Sequence, residues 1–399
     1  MLIIKEIKNY FLIYVCLSLV LIFGFNIPKI SIISLFFTVL FIPFFRNKII
    51  SKSFLIDIGL VFLFMISYYY ISDLQGLLDL DIRSLIMIIN SIIAYMLGYF
   101  ISLNFKKTHI VILFGILGLV LFSIFSVYNF MIHYKHLLVD NFIISNRSVP
   151  SFWKENGEFI NGPALGLYLS LGISLLTVVF IKGNLFYKFI CLMISGISFY
   201  FNVALQNRTP LYIGILLVII CAILHLSKSL TQRWIIVYSL FFAFLLILIY
   251  CFLDKVITFV WGQTYLDRYF NEGLETPRYT LWLKGIKGLF DYPMGGAKTD
   301  FSPYAYAHNF WLDVGWYAGI IPFIIIILLQ IRHLKSIINS IIKNNTGSYI
   351  ILGVSLSYFV GCMVEPALIA SQNYIIISFF VFSYIKYLNL NSREEGNCG

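Results

Sequence analysis

Three side chains in this 399-residue sequence join a reactive type to an unusual setting: Arg208, Arg278 and His308. A guanidinium presents a planar fork of donors that matches two phosphate oxygens at once. An imidazole titrates near neutrality and can take a proton from a hydroxyl. Arg278 follows Thr276-Pro277, a pair that reads as helix N-cap and first helical position. Leu281, Trp282, Gly285, Ile286, Leu289 and Phe290 then recur near helical period, and Asp291-Tyr292-Pro293-Met294-Gly295-Gly296 ends the run. The spacing predicts a short amphipathic helix over 277–290, lying at the outer membrane–water boundary, with Arg278 in its first turn. Free backbone N–H groups there already favour an anion. Arg208 sits in a tight linker, Gln206-Asn207-Arg208-Thr209-Pro210, which offers many cheaper polar choices; that favours a functional cation over one merely snorkelling to headgroups. His308 stands in Tyr306-Ala307-His308-Asn309-Phe310-Trp311, and Asn309 suits the cap of a following helix.

Acidic residues offer a competing chemistry. Asp79-Leu80-Asp81 is a pattern that can hold a divalent metal with a nucleotide-sugar or lipid-phosphate donor, but an ordinary acidic linker explains it more simply. Glu365-Pro366 reads either as a paired acid at a membrane boundary or as a helix end. Tyr279, Trp282 and other aromatics near these residues suit stacking on sugar rings, and equally an interfacial belt. Six scattered Cys, none in C-x-x-C spacing, suggest neither a disulfide frame nor a zinc site.

The elements that must position these groups are membrane helices. Hydrophobic residues make up 60% of the chain and charged ones 12%, half the share of a soluble domain. That composition excludes a soluble enzyme, a disordered chain and a nucleic-acid binder. A span needs about 20 apolar residues. Twelve are expected, near 10–27, 28–45, 54–72, 84–104, 109–130, 161–181, 185–205, 210–226, 234–253, 310–330, 348–366 and 370–387, the first two forming a tight hairpin. The basic start of the chain lacks a small-residue cleavage site before Pro28, so the first span is read as uncleaved. With both termini inside, the inner segments carry 16 basic and four acidic residues, the outer ones 12 basic and 14 acidic. The net charge of +10 is therefore a topology signal. The region 331–343 is expected as an amphipathic helix on the inner surface, and the long outer loops are 131–160 and 254–309. Asp57 falls clearly within a span.

Taken in order, Asn207-Arg208-Thr209-Pro210-Leu211, Arg278-Tyr279-Thr280-Leu281-Trp282, Asp291-Tyr292-Pro293-Met294-Gly295, His308-Asn309-Phe310-Trp311-Leu312 and Gly319-Ile320-Ile321-Pro322 resemble the O-antigen ligase/O-antigen polymerase superfamily of bacterial inner membranes. The resemblance covers roughly residues 200–330; the N-terminal half matches only in hydropathy. Many relatives carry an acid where this chain has Tyr317, and Asp313 is the available substitute. The resemblance implies an all-α polytopic fold with a large periplasmic loop. It implies glycosyl transfer from undecaprenyl pyrophosphate, with no cofactor, nucleotide sugar or metal. His308 would be the base, and Arg208 and Arg278 would hold the pyrophosphate. Asn309, Tyr279, Trp282, Lys298, Asp313 and Glu365 are expected around the substrate. The expected partners are the carrier-linked oligosaccharide, membrane lipids and a chain-length regulator protein, with no nucleic acid. Polymerisation of repeat units is the first reading. Ligation of the finished glycan to lipid A-core is the second, and a polysaccharide flippase or transporter the third.

Overall fold

The computed structural model describes residues 2–45, 50–133, 148–153, 159–181, 184–205, 207, scattered residues between 213 and 224, 278–302, 304–342 and 347–394. Helix dominates them. The first five helices are α1 (Leu2–Gly24), α2 (Ile30–Val39), α3 (Lys52–Leu74), α4 (Ile82–Asn104) and α5 (Thr108–His133). After a small hairpin come α6 (Gly162–Ser174, continued by a 3-10 turn to Phe180) and α7 (Leu185–Ala204). The C-terminal part contributes α8 (Arg278–Asp291), α9 (Phe310–Ala318), α10 (Ile320–Ile342), α11 (Ser348–Val364) and α12 (Gln372–Glu394).

Six helices among the described residues are long and apolar enough to cross a membrane: Lys52–Leu74, Ile82–Asn104, Thr108–Ile132, Gly162–Phe180, Leu185–Ala204 and Ile320–Ile341. Leu55, Ile56, Phe62, Leu63 and Ile66 stand exposed along α3, a surface that water would not tolerate and lipid tails would. The architecture fits an all-α membrane protein. Its one described departure is the hairpin β1 (Ser148–Pro150) and β2 (Phe159–Asn161), which pairs Val149 with Ile160. The expected spans 210–226 and 234–253 fall mostly or wholly outside the described residues, as does the first part of the 254–309 loop.

Three sequence expectations are corrected. The second span, expected at 28–45, is only ten helical residues in α2 followed by a 3-10 turn at Ile42–Phe44. Ten residues rise about 15 Å, Pro43 blocks a continuous α-helix, and the 3-10 turn carries the chain on to Phe45, which stacks on Phe100 near the finish of α4. The tenth span, expected at 310–330, is a helical hairpin. Gly319 adopts φ +81° between α9 and α10, and Trp311 Nε1 donates to Gln330 Oε1 at 2.5 Å across the fold-back. The inner-surface helix expected at 331–343 does not exist separately, because α10 runs unbroken to Ile342. Its charge is accommodated inside the helical array. Arg332 Nε pairs with Asp57 Oδ1 at 2.5 Å, and the Lys386 ammonium contacts the same carboxylate. Asp57 is thus not a lone charge within a span.

α4 lies parallel to α12 and α1 parallel to α5, while α6 packs antiparallel to α5, α7 and α11, and α10 to α3. One end of the array gathers the finish of α1 and the start of α12, where Asn373 Nδ2 donates to Asn26 Oδ1 at 3.2 Å. The finish of α11 and the start of α9 share that end, where Asn309 Nδ2 donates to Met363 O at 3.4 Å. The candidate site lies here.

Candidate functional site

The loop after α8 seats on the turn between α9 and α10. Ile320 N donates to Pro293 O at 2.9 Å, Gly296 N to Tyr317 O at 3.1 Å and Ala297 N to Trp316 O at 2.9 Å. Gly295 and Gly319 both take positive φ, 73° and 81°. A Cβ on Gly319 would collide with Pro293 O, and one on Gly295 with Tyr317 O. Backbone meets backbone at this clamp, so glycine is required on both sides.

From the clamp, α8 and α9 run back side by side. Leu281, Leu289, Phe301, Ala307 and Leu312 form a small core between them, flanked by Trp282, Trp316 and Phe323. This parallel packing, with Gly285 against Leu312 and Leu289 against Gly315, brings the first residue of α8, Arg278, to the same end as the residues preceding α9. Trp311 stands level with Gln330, ten residues past Ile320, so that end is recessed about 15 Å below the clamp.

Two residues shape the backbone around His308. The Asn309 side chain accepts from Leu312 N at 3.2 Å, capping α9 as its sequence position suggests. Asp313 is 2% exposed and accepts from Ala307 N at 2.8 Å and Asn309 N at 2.9 Å. Its carboxylate brackets His308, which is held in the left-handed region at φ 52°. Non-glycine residues adopt that conformation rarely, and mostly where the surroundings impose it. Tyr304 and Tyr306 present ring edges to the imidazole at 6.3 and 6.0 Å.

Glu365, the C-cap of α11, joins the pieces. Arg278 Nη2 lies 3.7 Å from Glu365 Oε1, and His308 Nδ1 lies 3.8 Å from Oε2. Both separations are ion-pair rather than hydrogen-bond distances. The Arg278 and His308 side chains are 30% and 31% exposed and Glu365 15%, so a ligand can reach all three. The result is a base, a cation fork and a carboxylate drawn from three separate segments.

The remaining expected residues scatter. Tyr279 is 70% exposed. Trp282 packs on the small core, and its indole N–H is buried without a partner among the described residues. Lys298 is exposed beside the clamp, at the opposite end of α8 from Arg278. Asp313 faces backbone rather than a ligand, which gives it a positioning role. Arg208 lies outside the described residues; its neighbour Asn207 donates from Nδ2 to Gly162 O, at the start of α6, at 3.1 Å. Asp81 caps α4 by accepting from Ser84 N at 2.9 Å, and Ser84 Oγ donates to Asp79 O at 2.7 Å. That Ser84 backbone hydrogen bond holds the Asp81 carboxyl below the usual range. The Asp81 carboxylate therefore serves a helix start, and Asp79 contributes its backbone carbonyl to the same turn.

Sequence reasoning named Glu365 but missed its place between the other two. An acid stranded in an apolar run before Pro366 was the available signal. No family model matches this chain, and no curated protein is significantly similar to it.

Proposed function

We propose that this protein is a metal-independent glycosyltransferase of a bacterial inner membrane. It would have about twelve spans, cytoplasmic termini and a periplasmic site, and would polymerise oligosaccharide repeat units carried on undecaprenyl pyrophosphate. The observation that carries the reading is the convergence of Arg278 and His308 on Glu365. The reaction needs a group that removes the acceptor hydroxyl's proton and a cation that steadies a departing diphosphate. It needs no general acid, because pyrophosphate leaves readily.

The roles follow from the geometry. His308 turns Nδ1 toward Glu365, leaving Nε2 for the acceptor hydroxyl. As the hydroxyl oxygen bonds to the donor's anomeric carbon, its proton passes to Nε2. The bond from that carbon to the phosphate oxygen breaks, and undecaprenyl pyrophosphate departs against Arg278, with Arg208 as the second expected fork. Glu365 orients the imidazole and offsets the charge it gains. The growing chain ends on the incoming carrier-linked unit. A lateral opening toward lipid would admit the prenyl tail, and a chain-length regulator is the protein partner this reading implies.

Ligation of the glycan to lipid A-core would use the same three groups. Loss of the gene separates the two: core bearing one repeat indicates polymerase, and bare core with long carrier-linked chains indicates ligase. The flippase reading gains one observation, the charged cluster around Asp57 within the helices. It predicts that carrier-linked repeats stay on the cytoplasmic side when the gene is deleted.

A further inference from the structure

The Asp57 cluster lies near the start of α3 and midway along α10 and α12, away from the clamp. Asp57 is fully buried. Arg332 Nε donates to Oδ1 at 2.5 Å, Tyr95 Oη donates to Oδ2 at 3.1 Å, and the Tyr387 hydroxyl and Lys386 ammonium also meet Oδ2. Arg332 Nη2 donates to Ser53 Oγ at 3.2 Å, and Tyr95 Oη lies 3.3 Å from His333 Nε2. One carboxylate thus faces two cations. Lys386 is 8% exposed, and beyond its ion pair Nζ finds no acceptor among the described residues.

An excess charge held away from water is strongly unfavourable unless another charge answers it. The cluster has an opening through which that charge can arrive. The Arg332 side chain is 35% exposed. One turn to either side on α10 are Leu328, 49% exposed, and Lys335, also exposed. The nearby start of α3 also carries exposed Lys52, Leu55 and Ile56. Cations beside exposed apolar residues match a phosphate with a hydrocarbon tail. A guanidinium suits phosphate oxygens by geometry as well as charge.

We propose that Arg332 and Lys386, set on Asp57, form a phosphate site. The source of the phosphate is an anionic lipid headgroup or soluble phosphate, and the site is independent of the glycosyl-transfer reading. Asp57 holds the two cations in place and leaves one positive charge for the ligand.

The test is thermal unfolding of the full-length protein. It is run in nanodiscs of phosphatidylcholine with and without phosphatidylglycerol, and in lipid-free detergent with inorganic phosphate against chloride at equal ionic strength. The readout is the difference in Tm within each pair, so a variant that is merely less stable in both members does not count. The wild type should gain in Tm from phosphatidylglycerol, from inorganic phosphate or from both. A gain from the lipid alone identifies a headgroup, and a gain from phosphate in detergent identifies a soluble ligand. Arg332→Gln and Lys386→Met should each abolish the gain, while Lys335→Gln, on the same helix outside the cluster, should keep it. The proposal is overturned if the wild type gains from neither anion. It is also overturned if the gain survives both cation substitutions, or if Lys335→Gln removes it as fully as Arg332→Gln does.

Discussion

His308 is held in a backbone conformation that its neighbours impose: Asp313 takes the N–H groups on either side of it, and Glu365 faces its Nδ1. A base fixed this way needs no rearrangement to meet a hydroxyl. His308→Ala should lower turnover by about 10²–10⁴-fold, the range a general base supplies, as measured by glycan extension on purified carrier-linked substrate. Arg278→Lys keeps the charge but loses the fork. With charge-assisted bonds worth about 1.5–3 kcal/mol each, it should fall roughly tenfold or more; full activity would reduce Arg278 to a surface cation. Glu365→Gln should be slower than wild type but faster than His308→Ala, since it removes orientation and leaves the base. The types and settings of Arg278 and His308 were legible in the sequence because few residues do their chemistry. Their meeting at Glu365 was not. Residues 278, 308 and 365 belong to separate segments, and no local spacing rule links them.

At the scale of elements, the hairpin at Gly319 is what lowers His308 beside the middle of α10. The hydropathy of 310–330 reads as one span because nothing in apolar content reveals a left-handed residue. Gly319→Ala would force the Pro293 carbonyl away and place alanine at φ 81°. It should cost about 1–3 kcal/mol, measured as a lower Tm, and should reduce activity without touching a reacting group. Charge misled the boundaries in the same region. Arg332 and Lys386 were counted among the inner-side charges, yet each is drawn into the helical array because Asp57 on α3 answers them. Removing that answer should be severe. Asp57→Ala leaves both cations unopposed at a cost of about 3–5 kcal/mol, and adding Lys386→Met should restore part of the lost Tm. Short-range signals fared better. The helix expected over 277–290 is α8, Arg278–Asp291, and Asn309 caps α9 as its position suggests.

The whole molecule follows from composition. A chain with 60% hydrophobic residues must bury them in protein or lipid; the structure packs a large apolar core and, among the described residues, has six helices long and apolar enough to cross a membrane. Two carboxylate sites differ in chemistry. The first, at the end where α11 finishes, holds a partly buried carboxylate flanked by a guanidinium and an imidazole, and the second, within the helices, a fully buried carboxylate overmatched by cations. If the first faces the periplasm, a reporter fused after residue 290 should be active only outside the cytoplasm. Because the proposed chemistry passes through side chains alone, chelators should leave activity intact; inhibition would return Asp79 and Asp81 to consideration. The most direct test is a gel of the glycolipids from cells deleted for this gene and complemented with wild type or His308→Ala. The account predicts that wild type restores a full ladder while His308→Ala leaves core bearing a single repeat. A full ladder from His308→Ala would contradict it.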